Sequence, residues 1–215
     1  MSNKTINVCI GNYGYYSEGE LHDAWLSLPA SNADIAAFLK AHRLRDAMHE
    51  ETYISDYDGV PFGLWTIFNE LTNLEDLNLL ARQMREKPYE CEVVNQYLEC
   101  GADAPADVLE LMNMIEQADQ LGFFYYHNDG ASPEERYALD CIEDMPEFKE
   151  LEANGLINYI DLERLGRDYG MDCYLGEEGY VADYARDFDD DLYSREELEE
   201  LYGPVDSPAR MADAA

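Results

Sequence analysis

The chain has 215 residues, of which 47 are acidic and 14 basic, and its formal net charge at pH 7 is −33. A surface this negative repels phosphate and so excludes direct nucleic-acid binding, which needs basic stripes that release counterions. Hydrophobic residues still make up 47% of the chain, which is enough to bury a core in one domain or in several small ones.

The first predicted elements form a small α/β unit. Apolar residues that alternate from Ile6 predict a half-buried strand, and two further strands are predicted at 24–28 and 52–57. The tyrosine- and glycine-rich segment 11–19 is predicted to be a turn. Ser31, with an aspartate three residues later, is typical of a helix start, so a helix is predicted before the third strand.

From 69 to 121 the apolar period becomes helical, which predicts a small helical bundle. Asp103, Asp107 and Glu110 are four and three residues apart and are predicted to line one helix face. Carboxylates at this spacing lie about 5–6 Å apart. That spacing is comparable with the roughly 7 Å between successive phosphates of a duplex strand. Such a helix would present negative charge at nearly the pitch of phosphates.

After the bundle, the segment 122–127 is predicted to be a buried strand, and Ser132 to cap a helix. A closing strand is predicted at 173–180. Beyond it the chain is strongly acidic. A short helix is predicted after Ser194, with Leu198 and Leu201 together on its apolar side, and the end of the chain is predicted to be disordered.

The segment 154–172 gathers two arginines, Arg164 and Arg167, beside an apolar stripe of helical spacing. Its periodicity alone predicts a short core helix. Gly166 or Gly170 can end that helix in a left-handed cap.

These elements predict an α+β fold with three small domains in a row, an elongated shape and an acidic C-terminal extension. The predicted boundaries are 1–63 for the α/β domain, 64–121 for the helical domain and 122–181 for a second α+β domain. Residues 182–215 form the acidic, partly disordered tail. Acidic residues outnumber basic ones in all four segments, so no single tail accounts for the charge.

Ten acidic residues on or near the predicted helices are candidate phosphate mimics. They are Glu70, Glu75, Asp76, Asp103, Asp107, Glu110, Glu134, Glu135, Glu143 and Asp144. For any one row, an ordinary solvated helix face is the plainer interpretation. An ordinary helix face pairs its acids with lysines one turn away. Because several rows of acids here lack such lysines, the rows taken together favour the mimic hypothesis. In duplex DNA, 33 charges span about 56 Å, or about 16 base pairs.

Adaptation to high salt and calcium binding are two alternative sources of such acidity. The small number of lysines is consistent with adaptation to high salt. The high apolar content and the 17 tyrosines are not. An EF-hand loop starting at Asp187 fails at both diagnostic positions, since Leu192 replaces the glycine and Leu198 the glutamate.

Five cysteines, odd in number and widely spaced, predict neither a disulfide framework nor a zinc site. No cofactor is predicted, and no catalytic motif selects an active site, so the chain is not expected to be an enzyme. With no apolar signal region or membrane-spanning run, it is expected in the cytoplasm and not at a membrane.

Two separated blocks resemble the ArdA-type antirestriction proteins. Asn158-Tyr159-Ile160-Asp161, followed by Leu165-Gly166-Arg167-Asp168, is similar to the family's Asn-Tyr-hydrophobic-Asp and Tyr-Gly-Arg-Asp signature. Leu165 stands where the family usually has an aromatic residue. The amino-terminal block comprises Ile6 to Tyr13, Glu18 to Leu21, Trp25, Leu28-Pro29 and Tyr53 to Asp58. The resemblance frames residues 5 to 181.

The resemblance implies a DNA mimic that occupies the DNA groove of type I restriction-modification complexes, at the methyltransferase core, and so protects incoming mobile DNA. It also implies a homodimer joined through the carboxy-terminal domain, in the cytoplasm of a bacterial host. The antirestriction-like motif would then comprise Asn158, Tyr159, Asp161, Gly166, Arg167 and Asp168. Because an arginine and a glycine cannot imitate phosphate, domain structure and dimerisation are the expected roles of this motif.

A different hypothesis remains open. The chain could be an acidic interaction protein that sequesters another basic or DNA-binding protein, such as a nucleoid or other defence protein. The two differ in selectivity, because a mimic needs folded carboxylate geometry whereas a polyanion would act without it.

Overall fold

The computed structural model describes residues 6–59, 67–143, 145–182, 189 and 191–203. They carry nine α-helices and two three-stranded sheets, which confirms the mixed α and β class. The described residues divide into two compact units. Unit 1 takes those within 1–88, 105–116 and 190–215, and unit 2 those within 89–104 and 117–189. The row of three domains and the elongated shape stay predictions.

The sheet of unit 1 has the strands β1 (Ile6–Asn12), β2 (Ala24–Leu28) and β3 (Thr52–Asp58), in the antiparallel order β2-β1-β3. All three predicted strands are confirmed. Side chains alternate along β1, and the inward ones, such as Ile6 and Val8, are fully buried. This face of the sheet therefore supplies part of the core of unit 1.

Two helices follow the first strands, α1 (Tyr13–Ser17) and α2 (Asn32–Ala41). Ser31 caps α2 as predicted, accepting a hydrogen bond from the Asp34 amide. The predicted turn at 11–19 is wrong, because β1 continues to Asn12 and a short helix starts there. The buried Asn12 side chain accepts from the Tyr15 amide and donates to the Leu44 and His49 carbonyls.

Helical structure follows, as predicted, with α3 (Leu74–Glu86), α4 (Pro88–Glu99) and α5 (Val108–Glu116). In unit 1, α3 packs against α5. Nearly all of α4 belongs to unit 2. The apolar residues of helical period are buried within α3 and α5, as Leu80 and Leu111 show, but the predicted stripe began at Leu71, which precedes α3 and is 77% exposed.

The acidic tail contributes α9 (Arg195–Tyr202), which begins at a capping box of Ser194 and Glu197 and packs against α3. The short helix predicted there is confirmed, but its buried pair differs from the expected one. Leu198 and Tyr202 are buried, whereas Leu201 is 40% exposed. Positions four apart on a helix share a face, so Tyr202 takes the place expected for Leu201. The predicted disorder concerns residues 204–215, which lie outside the described residues.

Unit 2 holds α6 (Pro133–Ile142), α7 (Pro146–Ala153) and α8 (Leu162–Tyr169). Its sheet has β4 (Phe123–Tyr125), β5 (Cys173–Leu175) and β6 (Gly179–Ala182), in the order β4-β6-β5. Helix α6 begins at Ser132, as predicted.

Two strand predictions in unit 2 are corrected. The single closing strand is a hairpin, because Gly176 to Glu178 form the turn that separates β5 from β6. The segment 122–127 is an edge strand of three residues with Phe124 and Tyr125 exposed. An apolar run alone does not distinguish an edge strand from a central one. None of the helices in the described ranges is long and apolar enough to cross a membrane.

We predict that Leu198→Ala will destabilise the protein by about 2–4 kcal/mol, because it leaves a cavity at a fully buried position. Leu201→Ala is the matched control, since it is the same substitution on the exposed side of α9 and should cost less than about 1 kcal/mol. Urea denaturation followed by circular dichroism measures both. Equal losses for the two variants would show that α9 does not belong to the core of unit 1.

Candidate acidic interaction surface

Negative charge cannot be neutralised internally in this chain. Even if each of the 14 basic residues paired with one acid, most of the 47 acids would remain unbalanced. Charged side chains are seldom buried without a partner, so the excess must lie at the surface. The candidate site is therefore a set of exposed carboxylates, and the structure separates those that serve the fold from those that face solvent.

Glu75 and Asp76 in the first turn of α3 serve the fold. The Arg195 guanidinium of α9 pairs with both, with Nη2 2.9 Å from Glu75 Oε2 and Nε 2.8 Å from Asp76 Oδ1. Burial raises the pKa of the Asp76 carboxyl, and Arg195 only partly offsets this effect. These two candidates contribute less negative charge than the sequence predicted. Glu70, just before α3, is exposed.

A structural carboxylate that was not predicted from the sequence lies at Glu116, at the end of α5. It accepts hydrogen bonds from Gln83 and Lys87, each at 2.7 Å, and from the Tyr202 hydroxyl. Burial alone raises the pKa of Glu116, but these donors outweigh it and hold the pKa below its usual value. These contacts and those of Arg195 connect α3, α5 and α9 through residues that are 29 to 120 positions apart in the chain. Sequence spacing therefore gives no signal for them.

The predicted row of Asp103, Asp107 and Glu110 does not form, because α5 begins only at Val108. Asp107 Oδ1 instead accepts from the Leu109 and Glu110 amides, each at 2.9 Å, and Glu110 Oε2 accepts from the Ala106 amide at 2.6 Å. Asp107 thus satisfies two free amides of the first turn, and Glu110 reaches back to an amide that precedes the helix. Asp103 precedes the helix, is exposed and belongs to unit 2.

At α6, Glu135 Oε2 accepts from the Ala131 amide at 2.7 Å and completes the start of the helix. Glu134 is half-buried beside it, and Glu143 is exposed at the other end, where it accepts from Asn128. Asp144 lies outside the described residues.

Helix α7 carries two exposed carboxylates with helical spacing that are not among the ten candidates. Glu147 and Glu150 are three residues apart on this helix and are both exposed. The sequence shows the spacing of these two glutamates. It does not show that α6 ends at Ile142 and that a separate helix, which carries both glutamates, begins at Pro146. They fit the i, i+3 geometry better than the candidates that cap helices.

The segment 154–172 forms a 3-10 turn at Ile157–Tyr159 and then α8, instead of one helix. Ile160 is extended, and the Asp161 side chain accepts from the Arg164 amide at 3.0 Å, which starts α8. The left-handed glycine cap is wrong, because Gly170 ends α8 at φ −88° and Gly166 lies within it.

Gly166 is buried where α8 crosses α6. A β-carbon there would lie 1.8 Å from the Glu134 carbonyl oxygen, so the position admits only glycine without a shift of the backbone. Of the motif residues, Asp161 and Gly166 thus shape α8 and its packing.

The other motif residues face solvent. Asn158 and Asp168 are exposed, Tyr159 is 86% exposed, and the exposed Arg167 pairs with Glu163 one turn back on α8. Near them in sequence, further large apolar side chains are exposed, namely Leu156, Tyr169, Met171 and Tyr174. Exposed apolar side chains that adjoin one another are typical of protein contact sites.

No metal site competes with this interpretation in the described ranges, where no three or more His, Cys, Asp or Glu side chains could hold an ion together. Three of the four histidines lie against aromatic rings, His42 against Phe38 and the other two against Tyr15. The Tyr15 ring stacks between those of His22 and His49, with centroids 4.5 and 4.0 Å away, while its hydroxyl donates to Asp46 at 2.7 Å.

The family model described as antirestriction protein (ArdA) matches residues 8–182 of the chain. No curated protein matches it. The matched range covers most of unit 2 and part of unit 1, includes the motif at 158–168, and ends before α9.

We predict that Gly166→Ala will lower the melting temperature and destabilise the protein by about 1–3 kcal/mol, because the new methyl group collides with the backbone of α6. Helix propensity works in the opposite direction, since alanine exceeds glycine by about 1 kcal/mol in a helix interior. Asp168→Ala, on the exposed side of α8, is the control. If Gly166→Ala is as stable as this control, the close packing of α8 on the α6 backbone does not require glycine at this position.

Proposed function

The chain belongs to the ArdA family of antirestriction proteins, and from this premise we propose that it inhibits type I restriction-modification enzymes by occupying their DNA-binding groove. Inhibition would protect incoming DNA from cleavage. The proposal rests above all on one observation, the uncompensated charge of −33.

The net charge of the chain equals the phosphate charge of a short DNA duplex. Duplex DNA carries one charge per about 1.7 Å, so the same number of phosphates covers about 16 base pairs. The excess of acids in every segment suits a ligand that lies along a groove, whereas a single acidic tail would suit a local contact.

The exposed carboxylates give the mimicry its geometry. Glu147 and Glu150 on α7 lie at the spacing of about 5–6 Å that suits successive phosphate contacts. From the ten candidates, we retain Glu70, Asp103 and Glu143 as exposed members and the helix-capping carboxylates as weaker ones. Glu75 and Asp76 rank last, because Arg195 already neutralises them.

The binding of such an inhibitor should depend on ionic strength. Attraction between the acidic surface and a basic DNA groove raises the encounter rate and is screened by salt. The inhibitor should therefore bind faster and more tightly at low ionic strength, as DNA itself does.

Competition tests the proposal. The protein is titrated against a labelled target duplex bound to a type I methyltransferase core, at two salt concentrations. We expect displacement near stoichiometry and weaker displacement at the higher salt concentration. Polyglutamate of the same net charge is the control and should displace little duplex, because it lacks a fixed arrangement of carboxylates.

The opposite results are equally informative. If the protein displaces no duplex at low salt, restriction enzymes are not its target, and sequestration of another DNA-binding protein becomes the better hypothesis. If polyglutamate displaces duplex equally well, charge alone accounts for inhibition and the folded geometry does not.

We also propose a homodimer that forms through the motif region of unit 2. The support is the exposed apolar group around 156–174 together with Arg167, whose side chain lies at the surface. Apolar contact would join the subunits. A cation in the contact would reduce the repulsion between two acidic partners.

Arg167→Glu should therefore shift the protein toward monomer, as measured by light scattering across a concentration series. Arg164→Glu makes the same charge change one turn earlier on α8 and serves as the control, with circular dichroism to verify that both variants stay folded. An unchanged mass for Arg167→Glu, or equal shifts in both variants, would contradict a specific role for Arg167.

A further inference from the structure

The outer face of the unit 1 sheet carries an exposed tryptophan. Trp25 on β2 pairs with Cys9 on β1 and is 50% exposed, although indole is among the side chains that gain most from burial. The residues of β1 beneath this face are small or polar, namely Asn7, Cys9 and Gly11. They leave the indole ring standing above the sheet.

Three exposed aspartates surround this tryptophan on the same face. Asp56 pairs with Cys9 from the β3 side, so that Trp25, Cys9 and Asp56 form one row across the sheet. Asp58 pairs with Asn7 in the next row, and the Asn7 amide donates to it at 3.3 Å.

Asp23 lies on the other side of this row. A β-carbon on Gly11 would lie 2.6 Å from Asp23 Oδ1 and 2.6 Å from the Tyr53 ring, which places both side chains over the same face. In the described part of the chain, no lysine or arginine pairs with Asp23, Asp56 or Asp58. The face thus combines an indole ring with unbalanced negative charge.

We propose that this Trp25 face is a docking surface for an arginine-rich protein surface. A guanidinium group can stack on the indole ring while its N–H groups donate to the flanking carboxylates. Lysine fits less well, because its ammonium group is more strongly hydrated and has no planar face to stack.

Charge decides between the possible occupants. A second copy of the chain would bring the same aspartates against these three, since a two-fold contact pairs a patch with itself. Like charges oppose that contact, whereas a cationic partner satisfies both the aspartates and the ring. In the proposed function, the partner would be the basic surface of the restriction enzyme, and that assignment alone rests on the proposed function.

The Trp25 face would add binding energy that salt does not screen, which scattered carboxylates cannot supply. Phosphate-like contacts weaken steeply with salt. Stacking of arginine on an aromatic ring also buries apolar surface, which salt does not screen. Docking at Trp25 would therefore retain part of the affinity at high ionic strength.

The test compares labelled oligo-arginine and oligo-lysine peptides of equal length, with binding measured by fluorescence anisotropy at low and high salt. The wild-type protein should prefer the arginine peptide, and more clearly at high salt. Trp25→Ala should weaken arginine binding about 3- to 30-fold and remove the preference. Trp25→Phe, which keeps a ring, should lose only part of it. Met48→Ala is the control, because Met48 is an apolar side chain of the same unit that is 86% exposed.

The outcomes separate this inference from the proposed function. If Trp25→Ala binds both peptides as the wild type does, or if Met48→Ala loses as much, the docking surface is wrong even where the protein displaces duplex from the methyltransferase. If the tryptophan-dependent preference is found but no duplex is displaced, the surface is supported and its partner is another arginine-rich protein.

Discussion

Mutual repulsion among carboxylates is the constraint that governs this molecule. Net charge far from zero opposes any compact state, so the buried core must supply enough stabilisation to offset it. Unit 1 has such a core, in which Leu77, Leu80 and Leu111 are fully buried. Two of its cations act at partly buried junctions, since Lys87 meets Glu116 and Arg195 meets Asp76. With 47 acids and 14 basic residues, most acids cannot be neutralised in this way, and an excess of negative charge is what a surface for basic partners requires.

Local signals in the sequence predicted much of the fold. The strand from Ile6 and the helix starts at Ser31, Ser132 and Ser194 depend on neighbouring residues, and all four are confirmed. The remainder depends on contacts between distant residues. The pairing of Arg195 with Asp76 spans 119 residues, so α3 showed two acids at its start with no indication that they are neutralised. The break at Ile160 is different, because its cause is the local Asp161 cap, which an apolar stripe does not reveal.

The signature segment combines two kinds of residue. Gly166 permits α8 to touch the α6 backbone, and Asp161 starts the helix, so both would be retained in a protein with no partner at all. Tyr159 and Arg167 are exposed, and the ion pair of Arg167 with Glu163 lies at the surface of α8. The exposed members, and not the whole signature, are therefore where a contact with another protein should be sought.

Helix α9 has a consequence for how far this protein can be shortened. The family model ends at residue 182, yet Leu198 and Tyr202 fill the core of unit 1 and Arg195 compensates two of its acids. Trimming the chain to the matched range would expose apolar surface on α3 and leave Glu75 and Asp76 to repel each other. The boundary of sequence similarity is thus not a folding boundary, and a shortened chain that is meant to fold should retain residues up to Gly203.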